Sequence, residues 1–223
     1  MTRPDAAAFG ETAGVATVAG AGAAIPPAFV GGWARVSIAV GGGAPYEDSS
    51  VWWLQTPTFY GDLRVPFAEG VEPDSFAGRC IWDEPSLTWT HDLDLRGWAT
   101  TDTGRVHWDG ELLIEEGDGY VEVWERIAGS SGPTLALVRS DDVPGTIVRT
   151  GDVAVTIIDS RAGGGDYEAA TWRWLDDTWT VVAQWPREGS GTLPSPPPLE
   201  SLAVGDGIEI AGFGSWTVGE VNP

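Results

Sequence analysis

VWWLQTPTFYGDLRVP, residues 51–66, reads as a β-hairpin: an aromatic run, a Thr-Pro-Thr turn, then a run that alternates. Successive side chains of a strand point to opposite faces, so Phe59, Leu63 and Val65 share one face and Tyr60, Asp62 and Arg64 share the other. An apolar barrel interior would put Phe59, Leu63 and Val65 inside and leave Asp62 and Arg64 as a solvated rim. Tyr60 argues the other way, because a large aromatic in a polar row needs cover. Both placements stay open on sequence alone.

Outward from the hairpin, the same alternation recurs at short intervals. Trp33 to Val40 sets Ala34, Val36, Ile38 and Val40 against Trp33, Arg35 and Ser37. Phe76 to Trp82 is a further strand. Leu87 to Leu95 sets Leu87, Trp89, His91, Leu93 and Leu95 against Thr88, Thr90, Asp92 and Asp94. Tyr120, Glu122, Trp124 and Arg126 form a second mixed row that echoes Tyr60, Asp62 and Arg64. Turn signals separate these runs: Asp109-Gly110 is a strong hairpin marker, and Thr150-Gly151-Asp152 and Asp176-Asp177 join later pairs. No helical periodicity extends beyond one turn, placed at Leu199 to Ala203. Many short strands without helices predict an all-β, antiparallel barrel of about ten strands with a central cavity.

Composition agrees. The chain has 223 residues, of which 31 are glycine, 16 proline and 13 tryptophan. A chain of this length buries roughly 70% of its unfolded surface and needs no staples. Cys80 is the only cysteine, which rules out an intrachain disulfide and a multi-cysteine zinc site. Acidic residues outnumber basic ones 33 to 12, a net charge of -21; such a surface repels phosphate backbones and anionic lipid. No nucleic-acid or membrane partner is expected, and a cytoplasmic monomer or homodimer is. Residues 1–27, rich in alanine and glycine, predict a flexible arm before a single barrel domain over 28–223. The alternative is two β domains split near 129–133, at Gly129-Ser130-Ser131-Gly132-Pro133.

The candidate chemistry is polar and cofactor-free. Asp62 and Arg64 can pair, or together orient a carbonyl or carboxylate, because a guanidinium suits bidentate recognition. His91 can move a proton near neutral pH or be a satisfied histidine in a packed row, and Glu122 can share the acid–base work with Glu115 or Asp94. His91, Arg64, Asp62 and Glu122 are the candidate catalytic residues. Trp53, Gln55, Tyr60, Trp89, Tyr120 and Trp124 are the candidate ligand-binding residues. Asp92 and Asp94 beside His91 do not make the three or four convergent ligands a metal needs, so no metal is expected. The sequence carries no Gly-x-Ser-x-Gly elbow, phosphate loop or dinucleotide fingerprint. Trp172, Trp174 and Trp179 can stack on a sugar or aromatic ligand, but their alternation on a hairpin more often means core or barrel wall.

The string Gly32-Trp33-x-Arg35, Trp53-Leu54-Gln55 and Tyr60-x-Asp62-Leu63-Arg64-Val65-Pro66 resembles the Hri-type calycin family. Phe76-Ala77-Gly78, Trp89 to Asp94, Leu113-Ile114-Glu115 and Tyr120-x-Glu122-x-Trp124 continue the match over residues 33–126. The resemblance implies a barrel related in shape to lipocalins and fatty-acid-binding proteins, with a cavity and no settled activity. It also admits a haem-ligating role for His91, for which the sequence offers no second feature. The functional expectation is a module that binds a small, partly apolar organic ligand; the alternative is a cofactor-free isomerase, cyclase or lyase.

Overall fold

In the computed structural model of the chain, which describes residues 25–97, 101–139, 141–186, 193–199 and 201–223, strands account for almost all regular structure. The first sheet runs through β1 (Gly31–Val40), β2 (Ser49–Gln55), β3 (Phe59–Pro66), β4 (Asp74–Asp83), β5 (Ser86–Thr90), β6 (Leu93–Asp94), β7 (Thr101–Asp109), β8 (Leu112–Gly117) and β9 (Tyr120–Arg126). Every pairing is antiparallel, and β9 pairs back onto β1. Eight strands thus close a barrel, with β6 a short extra rung on β4. Closure removes the free sheet edges. The arrangement fits an all-β calycin-like barrel, closed with eight strands where the alternation suggested about ten.

The remaining strands do not widen the barrel. They are β10 (Thr134–Arg139), β11 (Gly145–Thr150), β12 (Val153–Asp159), β13 (Tyr167–Leu175), β14 (Thr178–Trp185), β15 (Gly207–Ile210) and β16 (Gly214–Asn222). They form a separate seven-stranded antiparallel sheet, and the chain passes from one sheet to the other between Arg126 and Thr134. This sheet lies against the outside of β2 and β3.

That stacking settles the two rows of β3. Leu63 and Val65 pack outward with Val148, Val155 and Ile157 of the second sheet, and Tyr60 packs inward with Trp53 and Trp89. Both faces of β3 are buried, the apolar row between the sheets and the mixed row inside the barrel. Gly61 marks how closely the sheets approach: a Cβ there would sit 2.5 Å from Val155 Cγ1. β12, VAVTIID, reads as a continuous apolar run for the same reason. Val153, Val155 and Ile157 face the barrel; Ala154 and Ile158 face a further core with Trp172, Leu193 and Trp216.

Two bulges overturn two of the sequence rows. Between Arg35 and Ser37 the register of β1 against β9 slips, with Arg35 opposite Trp124 and Ser37 opposite Val123. Val36 is the extra residue and is 44% exposed. Trp33 and Arg35 therefore face inward with Ile38 and Val40, instead of standing opposite them. The run 87–95 is likewise not one strand. Trp89 faces Cys80 of β4, but Leu93 faces Ala77, a shift of one residue. A one-residue slip exchanges the faces of everything beyond it. Leu87 and Trp89 stay in the barrel core, while Leu93 and Leu95 pack toward the second sheet.

Of the arm expected over residues 1–27, residues 1–24 lie outside the described residues. Ile25 is 4% exposed and packs with Phe29 and Trp33. Phe29 stacks on Trp108 at 5.8 Å and lies 5.2 Å from Trp82. Arg126 lies over Trp33 at 4.1 Å and donates to the Val30 and Ala28 carbonyls. These contacts close one end of the barrel. Within the turn expected at Leu199 to Ala203, whose residue 200 lies outside the described residues, Leu202 N–H donates to the Leu199 carbonyl.

Candidate functional site

The barrel interior is layered. Above its closed end, Trp53 meets Trp89 and Trp124 edge-on at 5.5 and 5.6 Å, and these rings fill the middle. Trp53, Tyr60, Trp89 and Trp124 line only a gap of about 20 Å³, room for one water-sized molecule. Gln55, expected to touch ligand, lines neither this gap nor the mouth of the barrel. It is fully buried, accepts from Trp53 Nε1 and donates to the Thr56 and Phe59 carbonyls, so it holds the β2–β3 turn.

Above the tryptophans lies an ion network. The Arg64 Nε donates to Asp62 at 2.9 Å, and Arg64 Nη1 reaches Glu122 Oε1 at 3.3 Å. Arg35 Nη1 donates to the same Glu122 oxygen at 2.5 Å. Behind Arg35, Glu47 grips the guanidinium with both oxygens, at 2.8 and 2.9 Å. Asp62, Arg64 and Glu122 were legible as two echoing rows; Arg35 was legible only as part of a motif, since the bulge hides that it shares a face with Ile38. Glu47 gave no signal, because it sits in a loop between β1 and β2 without periodicity.

Burial sets the protonation of this layer. It pushes the Asp62 carboxyl up to about 6, against the opposing pull of Arg64. Burial, then the negative charge of Glu122, raises Glu115 well above the ordinary carboxylate range. Tyr120 Oη donates to Glu115 at 2.9 Å and Trp124 Nε1 donates at 3.2 Å. Burial lowers the hold of Arg64 on its proton, but Asp62 and Glu122 outweigh it and leave the guanidinium firmly charged. Loss of solvation stabilises a neutral acid, and a paired cation keeps its charge.

The barrel then opens into a mouth of about 370 Å³. Ile38, Val40 and Phe76 give it apolar walls, and Arg64, His91 and Glu122 are among its polar ones. The inner bulge serves this place: His91 Nδ1 lies 2.7 Å from Asp94 Oδ2, and its ring stacks on Phe76 at 4.5 Å and 7°. Arg64 lies 5.0 Å from the same Phe76 ring, within cation–π range. Close approach fixes the bulge, since a Cβ on Gly78 would meet the Thr90 carbonyl oxygen at 2.1 Å, and Tyr60 Oη donates to that oxygen.

Arg64, His91, Glu122 and Tyr120 therefore meet at the mouth, with Asp62 directly beneath. Trp53, Tyr60, Trp89 and Trp124 stand deeper as packing, and Gln55 stands apart. Asp74, Asp102 and Asp118 also line the mouth, and sequence reasoning missed them because they sit at strand ends and turns amid 33 acids. Cys80 is buried, with its thiol pushed up by burial.

No family model matches the chain, and no curated protein matches it. Among solved structures, the uncharacterized protein YLR301w from Saccharomyces cerevisiae is similar to it at 15% identity, with a TM-score of 0.70. The likeness covers 86% of this chain and 99% of that one, and it extends to the fold alone.

Proposed function

We propose that this chain binds a small, partly apolar organic molecule at the mouth of its barrel. One observation carries the reading: the interior is divided. Aromatic side chains fill the closed end, while about 370 Å³ stays open at the other, where Ile38, Val40 and Phe76 face Arg64, His91 and Glu122. Ligand pockets combine an apolar wall with a few convergent polar groups in this way. The buried ion network beneath is pre-ordered, so binding need not organise Arg64 or Glu122.

A second reading, a cofactor-free acid–base enzyme at the same mouth, is favoured by the His91–Asp94 contact, which orients an imidazole in the wall of the mouth. There Arg64 would steady developing negative charge. The family reading belongs with both: the Hri-type motifs over residues 33–126 fall on the barrel half of the chain. The acidic charge balance supports a partner that is neither nucleic acid nor anionic membrane. No helix among the described residues is long and apolar enough to cross a membrane.

Native mass spectrometry of the purified protein tests the binding reading. The expected result is a small-molecule adduct that the wild type retains and Ile38→Trp, which fills the mouth, loses. An adduct retained equally by both proteins would place binding elsewhere and overturn it.

A further inference from the structure

The lining of the mouth names a ligand chemistry, on the premise that the mouth is the binding site. Five carboxylates face it, from Asp74, Asp94, Asp102, Asp118 and Glu122, against the single guanidinium of Arg64. That guanidinium is already engaged by Asp62 and Glu122. Asp74 is paired with Arg96 at 3.2 Å, and Asp94 holds His91 and the Arg96 N–H. Asp102 and Asp118 have no basic partner among the described residues; Asp102 accepts only from Tyr120 Oη, at 3.3 and 3.4 Å.

An independent observation comes from His91. Its side chain is only 9% exposed, it lines the mouth, and its Nε2 is buried without a hydrogen-bond partner. Facing the Asp94 carboxylate, a neutral imidazole carries its proton on Nδ1 and presents Nε2 as an acceptor. A buried acceptor left without a donor is costly. The one unpartnered buried polar atom at the mouth is thus an acceptor, the His91 imidazole nitrogen, and it shares the mouth with two carboxylates, Asp102 and Asp118, that lack a basic partner among the described residues.

We infer that the mouth takes an organic cation, a protonated primary or secondary amine on a short apolar body, whose N–H groups reach Asp102 and His91 Nε2 while the body lies against Ile38, Val40 and Phe76. A metal ion fits less well, since no group of three or more His, Cys, Asp or Glu among the described residues is placed to hold one. The net charge of -21 would also draw a cation toward the opening and repel an anion.

Three probes with one skeleton test this: 2-phenylethylammonium, 2-phenylethanol and phenylacetate. Each is titrated into the full chain while the His91 ring nitrogens and the Tyr120 ring are followed by NMR. The expected result is saturable shifts with the ammonium ion at least about tenfold tighter than with the alcohol, and none with phenylacetate. Asp102→Asn should weaken the ammonium ion about fivefold and leave the alcohol unchanged. Asp118→Asn gives a second rim variant that leaves the Tyr120 contacts intact. Equal or stronger binding of the alcohol or of phenylacetate at the same resonances would overturn the cation inference and keep the mouth as a binding site. Silence of those resonances with all three probes would overturn both.

Discussion

Arg35 on β1 and Glu122 on β9 stand 87 positions apart in the chain, and 2.5 Å separates Nη1 of one from Oε1 of the other. The contact spans the seam at which the barrel closes. Both side chains are nearly sealed from solvent, 5% and 2% exposed. Glu122 also bonds Arg64, so it is the shared anion of one buried cation and one half-buried cation.

Glu122→Ala should therefore cost about 3–5 kcal/mol, because it leaves Arg35 and Arg64 with less compensation in a desolvated layer. Glu122→Gln keeps the shape and should cost less, about 1–3 kcal/mol. Urea unfolding measures both. A loss below about 1 kcal/mol for the alanine variant would show that Glu47 and Asp62 suffice for the two guanidinium groups.

Glu115→Gln should behave differently, although Glu115 sits opposite Glu122 on the neighbouring strand. Burial and the charge of Glu122 keep the Glu115 carboxyl protonated far above its usual range. A neutral amide of the same shape can still accept from Tyr120 or Trp124. Near neutral pH the substitution should change stability by less than about 1 kcal/mol. A loss as large as that of Glu122→Gln would mean that Glu115 carries its charge.

Asp62 predicts a pH dependence. Its folded value of about 6 lies above its ordinary 3.8, so the folded chain holds this proton more tightly than the unfolded chain does. Between about pH 4 and 6 the native state binds more protons, and stability from this group rises as pH falls. Above both values the buried charge is a standing cost of about 3 kcal/mol at most. Wild type should thus gain on Asp62→Asn as pH drops from about 7 to 4, a difference that cancels the general charge repulsion. Parallel thermal melts check the sign; a gap that stays constant across that range would sink the assignment.

Gly61→Val tests the stacking of the two sheets. The new side chain would begin 2.5 Å from Val155 Cγ1, in a region with no slack. Overpacking of this kind typically costs about 1–3 kcal/mol. Amide exchange should quicken in β11 and β12, across the interface, while the ion network inside the barrel is kept. Unchanged protection in β11 and β12 would mean that the sheets yield freely there.

Much of the fold was legible in the chain. Period-two alternation in residues 59–65 and 120–126 marked strands, and Asp176-Asp177, both with positive φ in the structure, marked a hairpin turn correctly. The echo between Tyr60-x-Asp62-x-Arg64 and Tyr120-x-Glu122-x-Trp124 brought Arg64 and Glu122 into one reading before any contact was known. Alternation is a local property of the backbone, and it survives wherever a strand keeps its register.

Which side of the wall each row faces was not local. An apolar row is satisfied equally by a barrel interior or by a second sheet packed outside it, so Leu63 and Val65 looked the same in either case. Only the second sheet, folded from residues beyond 133, covered that row and freed the barrel interior for Asp62 and Arg64. The bulges at Val36 and at His91 lie equally beyond periodicity, since a single extra residue is visible only against a partner strand. They turned Ile38 and Val40 toward the mouth and brought His91 onto Asp94. Sequence periodicity settles how a strand alternates; the partner strands and the opposing sheet settle what each alternate face meets.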